Sequence, residues 1–172
     1  KSLSKFKSEE SDSFQALAWY SYGVTQKDKE GYIPLVKIIL EKSIPLVKKY
    51  ENSRNLGFLY TQLAVILTYN AQFKKAEDYN NKALKILEKQ YPQSAELFFT
   101  YLNSANNFCY QANGDEAEKF LYKAEQLIRP YPESSSNAFY YYSKTLFYIT
   151  RQKNEEALPV IEKGIFYAKK FN

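Results

Sequence analysis

Apolar positions along this chain recur at helical spacing between short polar breaks, and the whole arrangement returns with a period of roughly 40 residues. An aromatic residue (Trp19, Tyr60, Tyr101, Tyr141) is followed four positions on by a small one (Gly23, Ala64, Ala105, Thr145). A second compact residue (Val36, Ala76, Ala117, Ala157) comes about a dozen positions later, and a third (Ser43, Ala83, Ala124, Gly164) seven after that. A closing aromatic (Tyr50, Tyr91, Tyr131, Phe171) completes each unit. Tyr60, Ala64 and Leu67 lie at i, i+4 and i+7, one face of a helix, as do Tyr101, Ala105 and Phe108. Ala117, Leu121 and Ala124 repeat that spacing in the segment that follows. Each unit therefore predicts two helices that approach closely at their small residues, and four units in register predict a helical solenoid.

The breaks agree with this division. Tyr91-Pro92-Gln93-Ser94 and Tyr131-Pro132-Glu133-Ser134 each place Pro to end one helix and Ser to cap the next, and Tyr50-Glu51-Asn52-Ser53 is their counterpart. Asn70, Asn113 and Asn154 mark the turns inside repeats, and Asn113 with Glu116 reads as a capping box. Eight helices are predicted near 13–27, 32–50, 54–70, 73–90, 94–112, 115–129, 135–152 and 155–170. Pro45 falls inside the second and predicts a kink; Pro159 sits just past the first turn of the last. Residues 1–11, rich in Ser and Lys, read as a frayed lead-in.

The pattern resembles the tetratricopeptide repeat. Trp19-Tyr20-Ser21-Tyr22-Gly23 matches the start of that family's first helix, and Tyr60, Leu63, Ala64, Leu67, Phe73, Ala76, Tyr79 and Ala83 give the fullest repeat. Gly114, Ala117, Phe120 and Ala124 cover the second helix of the third repeat. The fourth departs furthest, with Lys144 where Leu is usual and Gly164 where Ala is usual. The unit is also longer than the family's usual one, which predicts longer helices. The resemblance implies a single all-α domain, a right-handed α-solenoid of four helix-turn-helix repeats at about 14–52, 53–93, 94–133 and 134–172.

It also implies a concave groove lined by first-helix side chains. Carried across residue by residue, the candidate groove comprises Leu17, Tyr20, Phe58, Gln62, Val65, Tyr69, Phe99, Leu102, Asn103, Asn106, Tyr110, Phe139, Tyr142 and Leu146. Members that grip a C-terminal carboxylate do so with Lys, Arg and Asn at such places. Here only Asn103 and Asn106 fit, so that clamp is not expected. An aromatic and aliphatic groove suits a partner helix or an extended peptide.

Composition narrows the chemistry. There is no His and one Cys, so neither a Ser–His nor a Cys–His pair can form, and no internal disulfide. No Gly-rich phosphate loop appears. The expectation is a non-enzyme without cofactor or metal. The net charge of +5 is spread over helices with acid at their starts (Asp115, Glu116) and base at their ends (Lys169, Lys170), as helix dipoles favour. Specific nucleic-acid binding is therefore not expected, and no apolar run is long enough to insert in a membrane. The chain reads as a soluble segment, of the cytoplasm ahead of the periplasm. The absence of Met predicts that residue 1 is not a natural start, so that either a leader was removed or the segment was cut from a longer protein.

The leading expectation is a protein-interaction module that binds a peptide or partner helix. The alternative is a sensor or regulatory segment of a longer bacterial signalling or transcription-control protein. The last helix should leave Val160, Ile161, Ile165 and Tyr167 partly uncovered, which predicts self-association or packing within a longer chain.

Overall fold

The computed structural model describes residues 2–171, with side chains described for 8–27 and 31–171. The fold is all-α: α1 (Ser2–Glu30), α2 (Tyr32–Ile38), a π-helical turn (Ile39–Ser43), α3 (Ile44–Val47), α4 (Arg54–Tyr69), α5 (Phe73–Gln90), α6 (Ala95–Tyr110), α7 (Gly114–Ile128), α8 (Ser136–Thr150) and α9 (Asn154–Lys170). Helices pack as consecutive pairs: α1 on α2, the π turn and α3, then α4 on α5, α6 on α7 and α8 on α9. The chain divides into two compact units, Lys1–Pro92 and Gln93–Asn172. Each unit holds two of the predicted repeats.

The predicted helix faces appear as buried stripes. Ala76, Asn80, Ala83 and Leu87 are buried on α5, and Ala117, Leu121, Ala124 and Ile128 on α7, at the spacing of one helical face. α4 and α6 bury residues around most of their circumference instead. Their buried hydroxyls return to their own backbone: Thr61 donates to the Gly57 carbonyl at 3.0 Å and Ser104 to the Thr100 carbonyl at 2.9 Å. A Cβ at Gly57 would lie 2.8 Å from Leu87 Cγ, so the small residue is what lets α4 and α5 approach.

The turns inside the repeats carry a second regularity. Gly31, Ala71, Ala112 and Gln152 all take positive φ (78°, 56°, 55° and 59°), each one repeat on from the last. At the last three, the following N–H reaches back five positions: Gln72 to Leu67, Asn113 to Phe108 and Lys153 to Tyr148. This left-handed closure satisfies the end carbonyls of the first helix and reverses the chain. Three of the four positions hold a residue with a Cβ, which disfavours that conformation.

Several boundaries differ from expectation. The lead-in is helical from Ser2, with Ser8 Oγ 3.0 Å from the Tyr50 hydroxyl; just after it that hydroxyl donates to Asp12 at 2.7 Å, and Lys49 pairs with Asp12 at 2.8 Å. Those two neighbours, Lys49 first, hold the Asp12 carboxyl below its ordinary range. Pro45 does not simply lose a bond. The helix widens into the π turn before it, Ile44 N–H bonding the Ile39 carbonyl, and restarts with Pro45 in the first turn of α3. Among the expected Ser caps, Ser94 accepts from Leu97 N–H at 3.2 Å. Ser134 accepts from Ser136 N–H, while Ser53 makes no side-chain cap bond.

Candidate functional site

The candidate residues fall into two groups, one in each unit. In the first unit, Tyr20 on α1 and Phe58 on α4 meet edge to face, with ring centroids 5.2 Å apart. The Tyr20 hydroxyl donates to Gln62 Oε1 at 2.9 Å, and burial raises the Tyr20 pKa above its ordinary value. Leu17 and Val65 are half-buried, and Tyr69 is exposed. The aromatic and amide side chains read as groove thus largely recognise one another. Phenol, ring edge and amide close into a seam between α1 and α4, one turn of helix after another.

In the second unit Phe99 on α6 and Phe139 on α8 make an edge-to-face contact at 5.3 Å. Here the face stays more open. Phe139 is 55% exposed, Tyr142 52% and Tyr110 41%. Asn103, Asn106 and Leu146 are half-buried. The Asn106 Oδ1 atom is shut off from solvent and has no hydrogen-bond partner, a state that costs free energy unless something donates to it. Leu102 is a correction. It is 3% exposed and belongs to the core, because α6 is covered on most sides and the position after Tyr101 lies beneath its neighbours.

The structure adds a device that the sequence pattern did not single out. Lys42, Lys82, Lys123 and Lys163, each just before the third small residue, stand over the first-helix aromatics Trp19, Tyr60, Tyr101 and Tyr141 at 5.9, 6.0, 5.2 and 6.0 Å. Lys82 also covers Tyr79 at 4.6 Å and Lys123 covers Phe120 at 5.5 Å. The repeat therefore includes a lysine whose ammonium lies on the ring that its partner helix presents. The signal was available, since these four lysines share the repeat spacing, but lysines on a second helix read as solvated charge.

Two hollows in the first unit were also unexpected. One, of about 860 Å³, lies between α2 and α5 over α4; the other, of about 650 Å³, lies beside the π turn and α3. They share Leu40 and Tyr79.

The rest of the chain offers little reactive chemistry. Cys109 is buried, and burial pushes its thiol up to about 11. Among the described residues no cluster of His, Cys, Asp or Glu is placed to hold a metal ion. None of the described helices is long and apolar enough to cross a membrane. On α9, Ile165 and Phe166 are 49% and 57% exposed, Val160 and Ile161 half-buried, and Tyr167 stacks on Tyr141 at 5.6 Å. In comparisons with known proteins, no family model and no curated protein matches this chain.

Proposed function

We propose that the chain is a tetratricopeptide-like interaction module whose first-helix face in the second unit binds a peptide or partner helix through apolar anchors. The observation that carries this reading is the exposure of Phe139 and Tyr142 on α8. Exposed rings offer area that an anchor side chain can bury. The four in-register turns and lysine–ring contacts support the family reading, because a repeat that reproduces its turn conformation and its packing contacts is a structural unit. The exposed apolar residues of α9 support self-association through that helix, which light scattering across a concentration series measures directly.

The test is selection of peptides from a random display library on the immobilised 172-residue chain. Selected peptides should carry aromatic or aliphatic anchors, and Phe139→Ala with Tyr142→Ala should weaken them about tenfold or more, as loss of anchor contacts does. Peptides indifferent to both substitutions would remove this face from consideration.

A further inference from the structure

The two hollows of the first unit, which share Leu40 and Tyr79, make up a cleft on the side of α4 away from Phe58 and Gln62. At roughly 100° per residue, Tyr60, Leu63 and Leu67 lie about half a turn around α4 from the Phe58, Gln62, Val65 and Tyr69 stripe. Beneath it lie the buried Leu63, Ile66 and Leu67, and the apolar surface it offers comes from Val36 and Leu40 on one wall and Tyr79 on the other. At the open end stand Tyr32, 39% exposed, and Ile33, 82% exposed. The wall from Tyr32 to Lys48 extends roughly 24 Å at helical rise, the length of about four turns of helix.

The charged lining is one-sided. Lys37, Lys48 and Lys49 line the α2–α3 wall, and Lys75 and Lys82 the α5 wall, against one acid, Glu41. Of these five lysines, only Lys49 meets a carboxylate among the described residues, that of Asp12. Lys75 donates to the neutral Gln72 amide, and Lys82 lies on the Tyr60 and Tyr79 rings. Apolar walls edged with lysines are complementary to an apolar stripe flanked by acids.

We propose that this cleft is a second docking site, which takes an acidic amphipathic helical segment of a protein partner, its apolar stripe on Val36, Leu40 and Tyr79 and its carboxylates on the lysine walls. The π turn shapes the site. By widening the helix at Ile39–Ser43 it sets Leu40 and Glu41 along the cleft rather than continuing the α2 register. The site does not depend on the second unit's aromatic face, and separate substitutions address the two.

The experiment uses the full chain and a fluorescein-labelled probe peptide of about 14 residues, with Leu at i, i+3, i+4 and i+7 and Glu elsewhere. Fluorescence anisotropy should show saturable binding that weakens steeply as salt is raised. The same peptide with Lys for Glu should bind at least about tenfold more weakly. Ile33→Ser, at a position too exposed to disturb folding, should weaken binding several-fold, and the double variant Lys37→Glu, Lys82→Glu should lose about tenfold or more. Phe139→Ala should leave this affinity unchanged. If the double variant fails to fold, the salt series and the lysine peptide decide the matter on the unaltered chain. Equal binding of the two peptides, loss on Phe139→Ala, or binding to phosphatidylglycerol vesicles but not to the acidic peptide would each overturn the proposal.

Discussion

The two units are written in the same repeat and arrive at different first-helix faces. In the first, Tyr20 finds both Phe58 and Gln62, so ring and hydroxyl are used up within the seam between α1 and α4. In the second, Phe99 and Phe139 also meet edge to face, but Phe99 stands at the place of Leu17; Leu102 holds the tyrosine's place and is buried, so no hydroxyl reaches Ser143, the counterpart of Gln62, from there. One substitution, Tyr20 in the first repeat against Leu102 in the third, thus separates a face closed by polar contact from one left open. Equivalent positions in a repeat share a backbone environment, but their chemistry is decided by whichever partner the next helix presents.

The strongest way to break the comparison is to overpack each unit at its small residues. Ala76 and Ala117 are fully buried, and Ala76→Leu or Ala117→Leu should each cost about 1–3 kcal/mol. Gly57→Ala should fall in the same range, because its Cβ would meet the buried Leu87. Trp19, the only tryptophan, reports on the first unit, so its fluorescence melt should move more with Ala76→Leu than with Ala117→Leu. Equal shifts would show that the two units melt together. Lys85→Ala, on the exposed side of α5, is the control that should barely move.

A smaller effect sharpens the contrast between the faces. Phe58→Ala removes a half-buried ring that holds Tyr20 and should cost about 2 kcal/mol of stability. Phe139→Ala should cost less than about 1 kcal/mol, because more than half of that ring is already in water. Thermal unfolding of both variants measures the difference. Similar losses would mean that the second face is as closed as the first.

The turns give a change of opposite sign. Gln152→Gly and Ala112→Gly relieve a left-handed conformation and should each raise stability by about 1 kcal/mol or less. Gly31→Ala should lower it by a similar amount, since the first repeat already carries the residue suited to that φ. Denaturant midpoints of the three variants check the sign at each turn.

The smallest expected effect is alkaline. Burial raises the folded pKa of Cys109 to about 11 and also raises that of Tyr20, so the folded state retains protons that the unfolded chain has lost. The stability this contributes is complete below the unfolded pKa. It falls as pH rises, from about 9 for the thiol and about 10 for the phenol, towards the folded values. Cys109→Ser should flatten the first part of that decline in urea melts, and native Cys109 should react with a thiol reagent only as the chain opens.

The resemblance to a helical repeat was legible because small residues at close crossings cannot be placed freely. Ala76, Ala83, Ala117 and Ala124 are each fully buried where the spacing put them. The candidate face was legible in part. Phe58, Phe99, Phe139 and their row could be named, but whether each ring would be closed or open depends on neighbours a whole repeat away in the chain. Leu102 shows the limit, since apolar character at a groove position is equally apolar character in a core. The cleft was illegible for a related reason. Pro45 announced a disturbance in the second helix, yet only the structure showed it resolved as a π turn with a hollow alongside.

The sequence by itself therefore determined the helices, their pairing and the places where backbones touch, because helical periodicity and side-chain volume are local properties. Tertiary structure alone decided which aromatic rings stayed exposed, that four lysines lie on the rings of their own repeats, and that three turn residues accept a left-handed conformation. Each of these depends on what another helix brings alongside, and a residue's own identity carries no record of that neighbour.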